Sequence, residues 1–312
     1  MPDMFITREH VYSKLGQLKL DKSPGVDLIH PRVLYETREA IAYPLFLIYN
    51  KTLQSGKLPS DWKLAEVTAI YKKGPKSDTG NYRPVSLTSV CCKIFESFIR
   101  DDVMNYLLEN NLLSAKQYGF IKGRSTMLQL LQMMDKWTEC LEYGGQVDTF
   151  YSDFEKAFDK VPHKRLISKL QSYGLNQFII NWITDFLDSR KYRVKVNLSY
   201  SGWHDVTSGI PQGSVLGPVL FIIYINDLVD SCKAFSDIYL FADDAKFFRH
   251  ITEPEDHILL QYAINALHNW THKWLLKLNI KKCQVVSFGR NINVSYSYSI
   301  QDHNNQAIQL AR

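Results

Sequence analysis

Two short apolar runs, Ile238 to Ala242 and Lys246 to Phe248, flank a pair of adjacent acids, Asp243 and Asp244, in the string YLFADDAKFF. Runs this short, rich in β-forming residues and separated by little else, predict two strands of an antiparallel hairpin with the acids at its tip. Neither Gly nor Asn supplies the turn. Neighbouring side chains of a strand point to opposite faces, so both acids reach one site only if the turn bends the backbone there. Two carboxylates about 4 Å apart repel by roughly 4 kcal/mol at an effective dielectric near 20, a cost that a bound divalent cation reverses. Alone, an Asp-Asp pair is most often a solvated surface turn. What accompanies this one excludes that.

The companion is TFYSDFEKAFDKVPHKRL at Thr149 to Leu166. The β-rich stretch Val147 to Phe154 carries Asp153 at its end, after which the sequence turns polar. One carboxylate from this strand and one or two from the hairpin suit two hard, oxygen-seeking Mg²⁺ ions, with Mn²⁺ as a substitute. Phosphoryl transfer needs such ions: one lowers the pKa of an attacking hydroxyl and the other neutralises a triphosphate and its leaving group.

Around these acids the sequence alternates between helical and extended periodicity. Ile94, Phe95, Phe98, Ile99, Val103, Tyr106 and Leu107 predict a helix from Lys93 to Leu113. Met127, Leu130, Leu131, Met134, Trp137 and Leu141 predict another from Ser125 to Leu141, with this Met-rich stripe packed in the core. Asn176 opens a helix carrying Phe178, Ile179, Trp182, Ile183, Phe186 and Leu187, and Tyr192, Val194, Val196 and Leu198 alternate as in a strand. A helix is expected over Val215 to Leu228, and a late one over Glu255 to Leu278, introduced by a capping box of Thr252 and Glu255. Helices mixed with non-sequential short strands predict an α+β fold with an antiparallel sheet.

Composition excludes several classes. The 312 residues are 45% hydrophobic and 22% charged, which is globular rather than disordered. Lys and Arg number 37 against 32 Asp and Glu, a net charge of +5, and the basic residues cluster at Lys72, Lys73 and Lys76, at Lys122 and Arg124, at Lys160 to Arg165, at Arg190 to Lys195 and at Lys273 to Lys282. Clusters of this kind permit a polyanionic partner. Cys91, Cys92, Cys140, Cys232 and Cys283 show no metal-binding spacing and read as reduced thiols of an intracellular protein. The apolar stretch Val219 to Ile225 stops at Asn226 and Asp227, far short of a membrane span, so no membrane partner is expected. With no repeat or flexible linker, one interlocked unit is expected.

In order along the chain, DFEKAFDKVPH, TSGIPQGSVLGPVLF and YLFADDAKFF resemble motifs A, B and C of non-LTR retrotransposon reverse transcriptases, of the LINE type and similar to the jockey and chicken-repeat elements. KSPGVDLIHPRVL, LPSDWKLAEVTAIYKKG, NYRPVSLTSVCCKIFE, QYGFIKGRST, YINDL and LNIKKCQVVSFG extend the likeness over most of the chain. Many relatives carry a threonine where Ala245 follows the acids.

This resemblance implies a right-hand polymerase with fingers and palm, its palm sheet antiparallel, packed on helices and carrying catalytic Asp153, Asp243 and Asp244, with the thumb missing or truncated. It implies an N-terminal leader over 1–20, fingers mainly over 21–145, palm mainly over 146–290 with a finger-side insertion near 191–213, and a truncated tail over 291–312. Arg83, with Lys72 or Lys73, is assigned to the incoming triphosphate, and Gln212 and Gly213 to the nascent base pair. Phe158, five residues after Asp153, is the steric gate against a ribose 2′-hydroxyl and so favours DNA over RNA synthesis. Lys282, or its neighbour Lys281, would protonate the departing pyrophosphate, and Phe288 and Gly289 resemble a primer grip. The implied partners are an RNA template, a DNA primer and deoxynucleoside triphosphates, with an endonuclease domain in the full-length element and a cytoplasmic and nuclear location. An inactive or domesticated RNA-binding remnant is the alternative that a primer-extension assay would separate.

Overall fold

The computed structural model describes residues 1–197, 199–302 and 306–312; Leu198 of the expected strand lies outside the described residues. The helices are α1 (Arg8–Gly16), α2 (Pro31–Glu36), α3 (Arg38–Ser55), α4 (Val90–Glu109), α5 (Thr126–Glu142), α6 (His163–Ser172), α7 (Gln177–Leu187), α8 (Gly217–Ile225), α9 (Leu228–Cys232) and α10 (Pro254–Trp274). The strands are β1 (Leu64–Tyr71), β2 (Tyr82–Leu87), β3 (Gln146–Ser152), β4 (Lys191–Val196), β5 (Ser199–Tyr200), β6 (His204–Asp205), β7 (Asp237–Phe241), β8 (Asp244–Ile251), β9 (Gln284–Phe288), β10 (Ser299–Gln301) and β11 (Ala307–Gln309). This is an α+β fold. The chain forms two compact units, Met1–Leu112 with His163–Leu220, and Leu113–Pro162 with Phe221–Arg312.

In the first unit a sheet runs in the order β2-β1-β4-β5, with β6 also on β4. It is mixed, since β1 pairs antiparallel with β2 and parallel with β4. The helices supply its core. Ser89 caps α4 by accepting the Cys92 N–H, and the helix buries Ile94, Phe95, Ile99, Val103 and Leu107. It stops at Glu109, short of the expected Leu113, because Asn111 takes a left-handed φ of 52°. Asn176 caps α7 through the Phe178 N–H at 2.8 Å, and Trp182 of that helix meets Phe95 edge-on at 5.1 Å. Val196 is 58% exposed, so the alternation read in β4 does not mark a buried face.

The second unit is built on the sheet β7-β8-β3-β9, antiparallel throughout. Its core joins Tyr118, Met133, Trp137, Cys140, Val147, Tyr239 and Phe248. Here α5 departs from expectation: Met127, Leu130, Leu131 and Met134 are exposed, whereas Gln129, Met133, Trp137 and Cys140 are buried. Trp137 of the expected stripe is buried, and Leu141 packs against the core, but the rest of the buried face is the neighbouring stripe of the same helix. The sheet selects it through Trp137, which lies 4.7 Å from Phe288 and 5.7 Å from Phe248. The cap of α10 is likewise one residue along. Glu253 is the N-cap and Asp256 the returning acid, with Pro254 in the first turn, and Thr252 also donates to Asp256. This helix ends at Trp274 because Leu275 is left-handed, at φ 57°. The expected helix over Val215 to Leu228 is also shorter, running as α8 and followed by α9.

All five cysteines are buried and unpaired by disulfides; burial pushes the Cys91 thiol up to about 11 and that of Cys232 to about 12. Among the described residues no helix is long and apolar enough to cross a membrane.

Candidate active site

The expected hairpin forms, with Phe241 paired to Asp244 and only Ala242 and Asp243 between them. Ala242 supplies the reversal that Gly or Asn usually supplies, at φ 55°. β8 then pairs with β3 as far as Ser152 opposite Ala245. The next residues outward are Asp153 and Asp244, so one register step puts these two acids opposite each other on adjacent antiparallel strands. Asp243 sits beside them in the turn. Asp153 and Asp243 are half-buried and Asp244 is exposed.

The two lysine alternatives differ in what they touch. Both are exposed, but Lys282 Nζ donates to Asp153 Oδ2 at 3.1 Å. The backbone holds the same acid, because Asn279 N donates to the Asp153 carbonyl at 2.7 Å. Burial pulls the Lys246 ammonium below its ordinary value and the Asp244 carboxylate opposes this. Phe158 stacks on Phe221 at 4.4 Å and meets Phe120 edge-on at 6.2 Å, contacts that hold its ring in one orientation. Phe288 lies opposite Val147 at the far end of the β3-β9 ladder, and Gly289 follows it.

The other assigned residues fall in the first unit. Arg83 lies on β2 with an exposed side chain, and Lys72, Lys73 and Lys76 are exposed at and beyond the end of β1. In the loop after Pro211, the Gln212 carbonyl accepts the Ser86 N–H at 2.6 Å. Gly213, at φ 117°, comes so close to Ser86 that a Cβ would lie 2.5 Å from its carbonyl oxygen. Its missing side chain therefore serves a backbone-to-backbone contact with β2. Glu96, fully buried, anchors the same loop by accepting from Ser214 Oγ, from Val215 N at 2.8 Å and from Leu216 N at 3.1 Å.

Several side chains at work here were invisible to sequence reasoning. Gln117 binds the hairpin turn directly, and Arg124, counted within a basic cluster, braces the Ser114 and Gln117 carbonyls at 2.7 and 2.6 Å. Glu96 gives no signal beyond standing as an acid among apolar neighbours of a helix, which is itself the pattern of a buried cap.

Among the described residues no group of three or more His, Cys, Asp or Glu is gathered as a ready metal cage. The donor set still fits a divalent cation. Carboxylate oxygens from two adjacent strands, one already holding an ammonium, are what a hard ion takes, and Mg²⁺ is usually bound by one or two carboxylates completed by substrate phosphates and water.

Known proteins share this sequence pattern. A family described as reverse transcriptase (RNA-dependent DNA polymerase) matches residues 70–306. The probable RNA-directed DNA polymerase from transposon BS of Drosophila melanogaster is 31% identical over 298 residues, covering 90% of this chain and 32% of the relative. The RNA-directed DNA polymerase from mobile element jockey of the same species is 28% identical over 299 residues, 92% of this chain and 32% of the relative. That from transposon X-element is 28% identical over 274 residues, 86% and 30% respectively. The chain thus spans about a third of the length of these relatives. With most of its length matched and its acids on two adjacent strands, the chain belongs to the reverse transcriptase family, and to the non-LTR retrotransposon kind within it.

Proposed function

We propose that this chain is the polymerase portion of a non-LTR retrotransposon protein, adding deoxynucleotides to a DNA primer 3′-hydroxyl on an RNA template. The observation that carries this reading is the placement of Asp153 and Asp244 one register step beyond the β3-β8 ladder, with Asp243 in the adjoining turn. In this reading the second unit is the palm and the first supplies the fingers.

Asp153, Asp243 and Asp244 would hold two Mg²⁺ ions, or Mn²⁺ in their place. Bound there, such ions supply a lowered pKa at the primer hydroxyl and a neutralising charge for the triphosphate and leaving group. The chain's own residues do the rest. The exposed guanidinium of Arg83 forms a fork that matches phosphate oxygens, with the Lys72 ammonium as a second positive charge. The Gln212–Gly213 loop, tied to Ser86, offers a rigid surface for the nascent base pair. Phe158, braced on Phe221, excludes a 2′-hydroxyl. Lys282, at hydrogen-bond distance from Asp153, is the candidate proton donor to pyrophosphate. Phe288 and Gly289 would contact the primer strand.

Primer extension on an RNA template with Mg²⁺ tests the proposal. The wild-type chain should add deoxynucleotides and Asp243→Ala should add none, because the variant removes a carboxylate that the triphosphate charge requires. Extension at the wild-type rate by Asp243→Ala would refute the assignment of the site.

A further inference from the structure

We propose that Gln117 and Gly119 are positioning residues for the catalytic acids, holding the Ala242–Asp243 turn in the backbone conformation that presents Asp243 and Asp244. The inference rests on the reading of those two acids as the metal-binding carboxylates.

Gln117 is fully buried, yet its side chain makes three hydrogen bonds. Oε1 accepts from Gly119 N at 2.7 Å and from Ala242 N at 2.9 Å, and Nε2 donates to the Ala242 carbonyl at 3.4 Å. Both backbone groups of the left-handed residue are thus held by one amide. An ordinary L-residue in that region costs roughly 1–2 kcal/mol, so the turn does not keep this shape unaided. The segment carrying Gln117 is itself fixed to the hairpin. Tyr118 N donates to the Leu240 carbonyl at 2.8 Å and Leu240 N to the Lys116 carbonyl at 2.9 Å, extending the sheet beside β7.

Gly119 is the second half of the clamp. A Cβ there would lie 2.3 Å from Ala242 N, so any side chain displaces the turn that the amide holds. The chemistry of position 117 is equally restricted. The clamp needs one acceptor for two N–H groups and one donor for a carbonyl, which an amide supplies. A carboxylate lacks the donor and adds a third negative charge beside Asp243 and Asp244.

The test compares Gln117→Leu, which keeps the volume and loses all three hydrogen bonds, with the same change in an Ala242→Gly background. Glycine takes positive φ without penalty, so there the clamp should matter less. Primer extension, Mn²⁺ binding by electron paramagnetic resonance without nucleotide, and circular dichroism are measured together. Gln117→Leu should keep the wild-type dichroism, lose about 10–100-fold in kcat and in Mn²⁺ affinity as other indirect supports of metal ligands do, and leave KM for deoxynucleotide unchanged. The loss should be several-fold smaller in the glycine background. Equal losses in both backgrounds, or none in either, would overturn the clamp. Should Gln117→Leu alone lose its fold, the double variant against Ala242→Gly carries the comparison: a loss of less than about 10-fold supports the clamp, and a loss of about 10-fold or more overturns it. Asp243→Ala, run alongside, keeps the two ideas apart: activity in that variant refutes the site, whereas inactivity there with an indifferent Gln117→Leu refutes only the clamp.

Discussion

Two aspartates five residues apart, Asp148 on strand β3 and Asp153 just past its end, sit in opposite surroundings. Asp148, fully buried near the start of the strand, is wrapped by donors: Gln146 Nε2 and the Tyr298 hydroxyl each at 2.7 Å and Arg312 Nη2 at 3.4 Å. The hydroxyl has one proton, which goes to Asp148, so His257 must offer its Nδ1–H to the Tyr298 oxygen at 2.8 Å. Asp153, just past the other end, is half-buried and holds one lysine. A buried carboxylate that serves the fold must have its lone pairs satisfied, since burial without partners is costly. A carboxylate that serves chemistry must keep oxygen available. The same residue type thus divides by its surroundings, and under the proposed function the contrast separates a structural acid from a chemical one better than either position alone.

The largest effects should come from crossing the two substitutions. Asp153→Ala should eliminate primer extension and change stability by no more than about 1 kcal/mol, because a part-exposed ion pair contributes little. Asp148→Ala should do the reverse. It leaves the buried Gln146 and Tyr298 donors, and Arg312, without their acceptor and should destabilise the chain by about 3–5 kcal/mol, while molecules that remain folded extend primer at the ordinary rate. Urea unfolding and active-site-normalised extension, run on both variants, decide the matter; a folded but inactive Asp148→Ala chain would break the division.

Tyr298→Phe is a smaller version of the same test. Burial, then the neighbouring Asp148 carboxylate, push the Tyr298 phenol well above its ordinary value, so it remains a proton donor throughout the accessible pH range. Loss of one hydrogen bond to a charged group should lower stability by about 1.5–3 kcal/mol with extension unaffected. A variant as stable as wild type would mean that Asp148 is satisfied without the segment around β10.

Of these features the sequence shows one kind plainly. The position of Asp153, Asp243 and Asp244 at strand ends and in the turn was legible because strand periodicity ends there, and the hairpin because apolar runs bracket it. The α+β class followed from the same change of period. Asp148, Gln117 and Glu96 were not, since each is a polar residue whose partners are distant in sequence: Tyr298 is 150 residues from Asp148, Ala242 125 from Gln117 and Ser214 118 from Glu96. The error on α5 has the same origin. Helical spacing generates more than one candidate stripe, and composition favoured Met127, Leu130, Leu131 and Met134 beside Trp137, but the partner surface kept Trp137 and selected Gln129, Met133 and Cys140 with it. Periodicity reports that a face exists; the element packed against it decides which face is used.

The smallest expected change concerns Lys282, the lysine that pairs with Asp153. The Lys282 ammonium is 59% exposed and lies 3.1 Å from Asp153, a geometry worth no more than about 1 kcal/mol to folding. Lys282→Met should therefore leave the urea midpoint almost unmoved. Its effect on the acid is different: with the ammonium gone, Asp153 loses a competitor for the same oxygen, and Mn²⁺ measured without nucleotide should bind tighter by up to about 5-fold, the equivalent of 1 kcal/mol. Extension should nevertheless slow, because the proposed proton donor to pyrophosphate is missing. Tighter Mn²⁺ with unchanged kcat would make Lys282 only a counter-ion that guards Asp153, and weaker Mn²⁺ would mean that the lysine orders the acid.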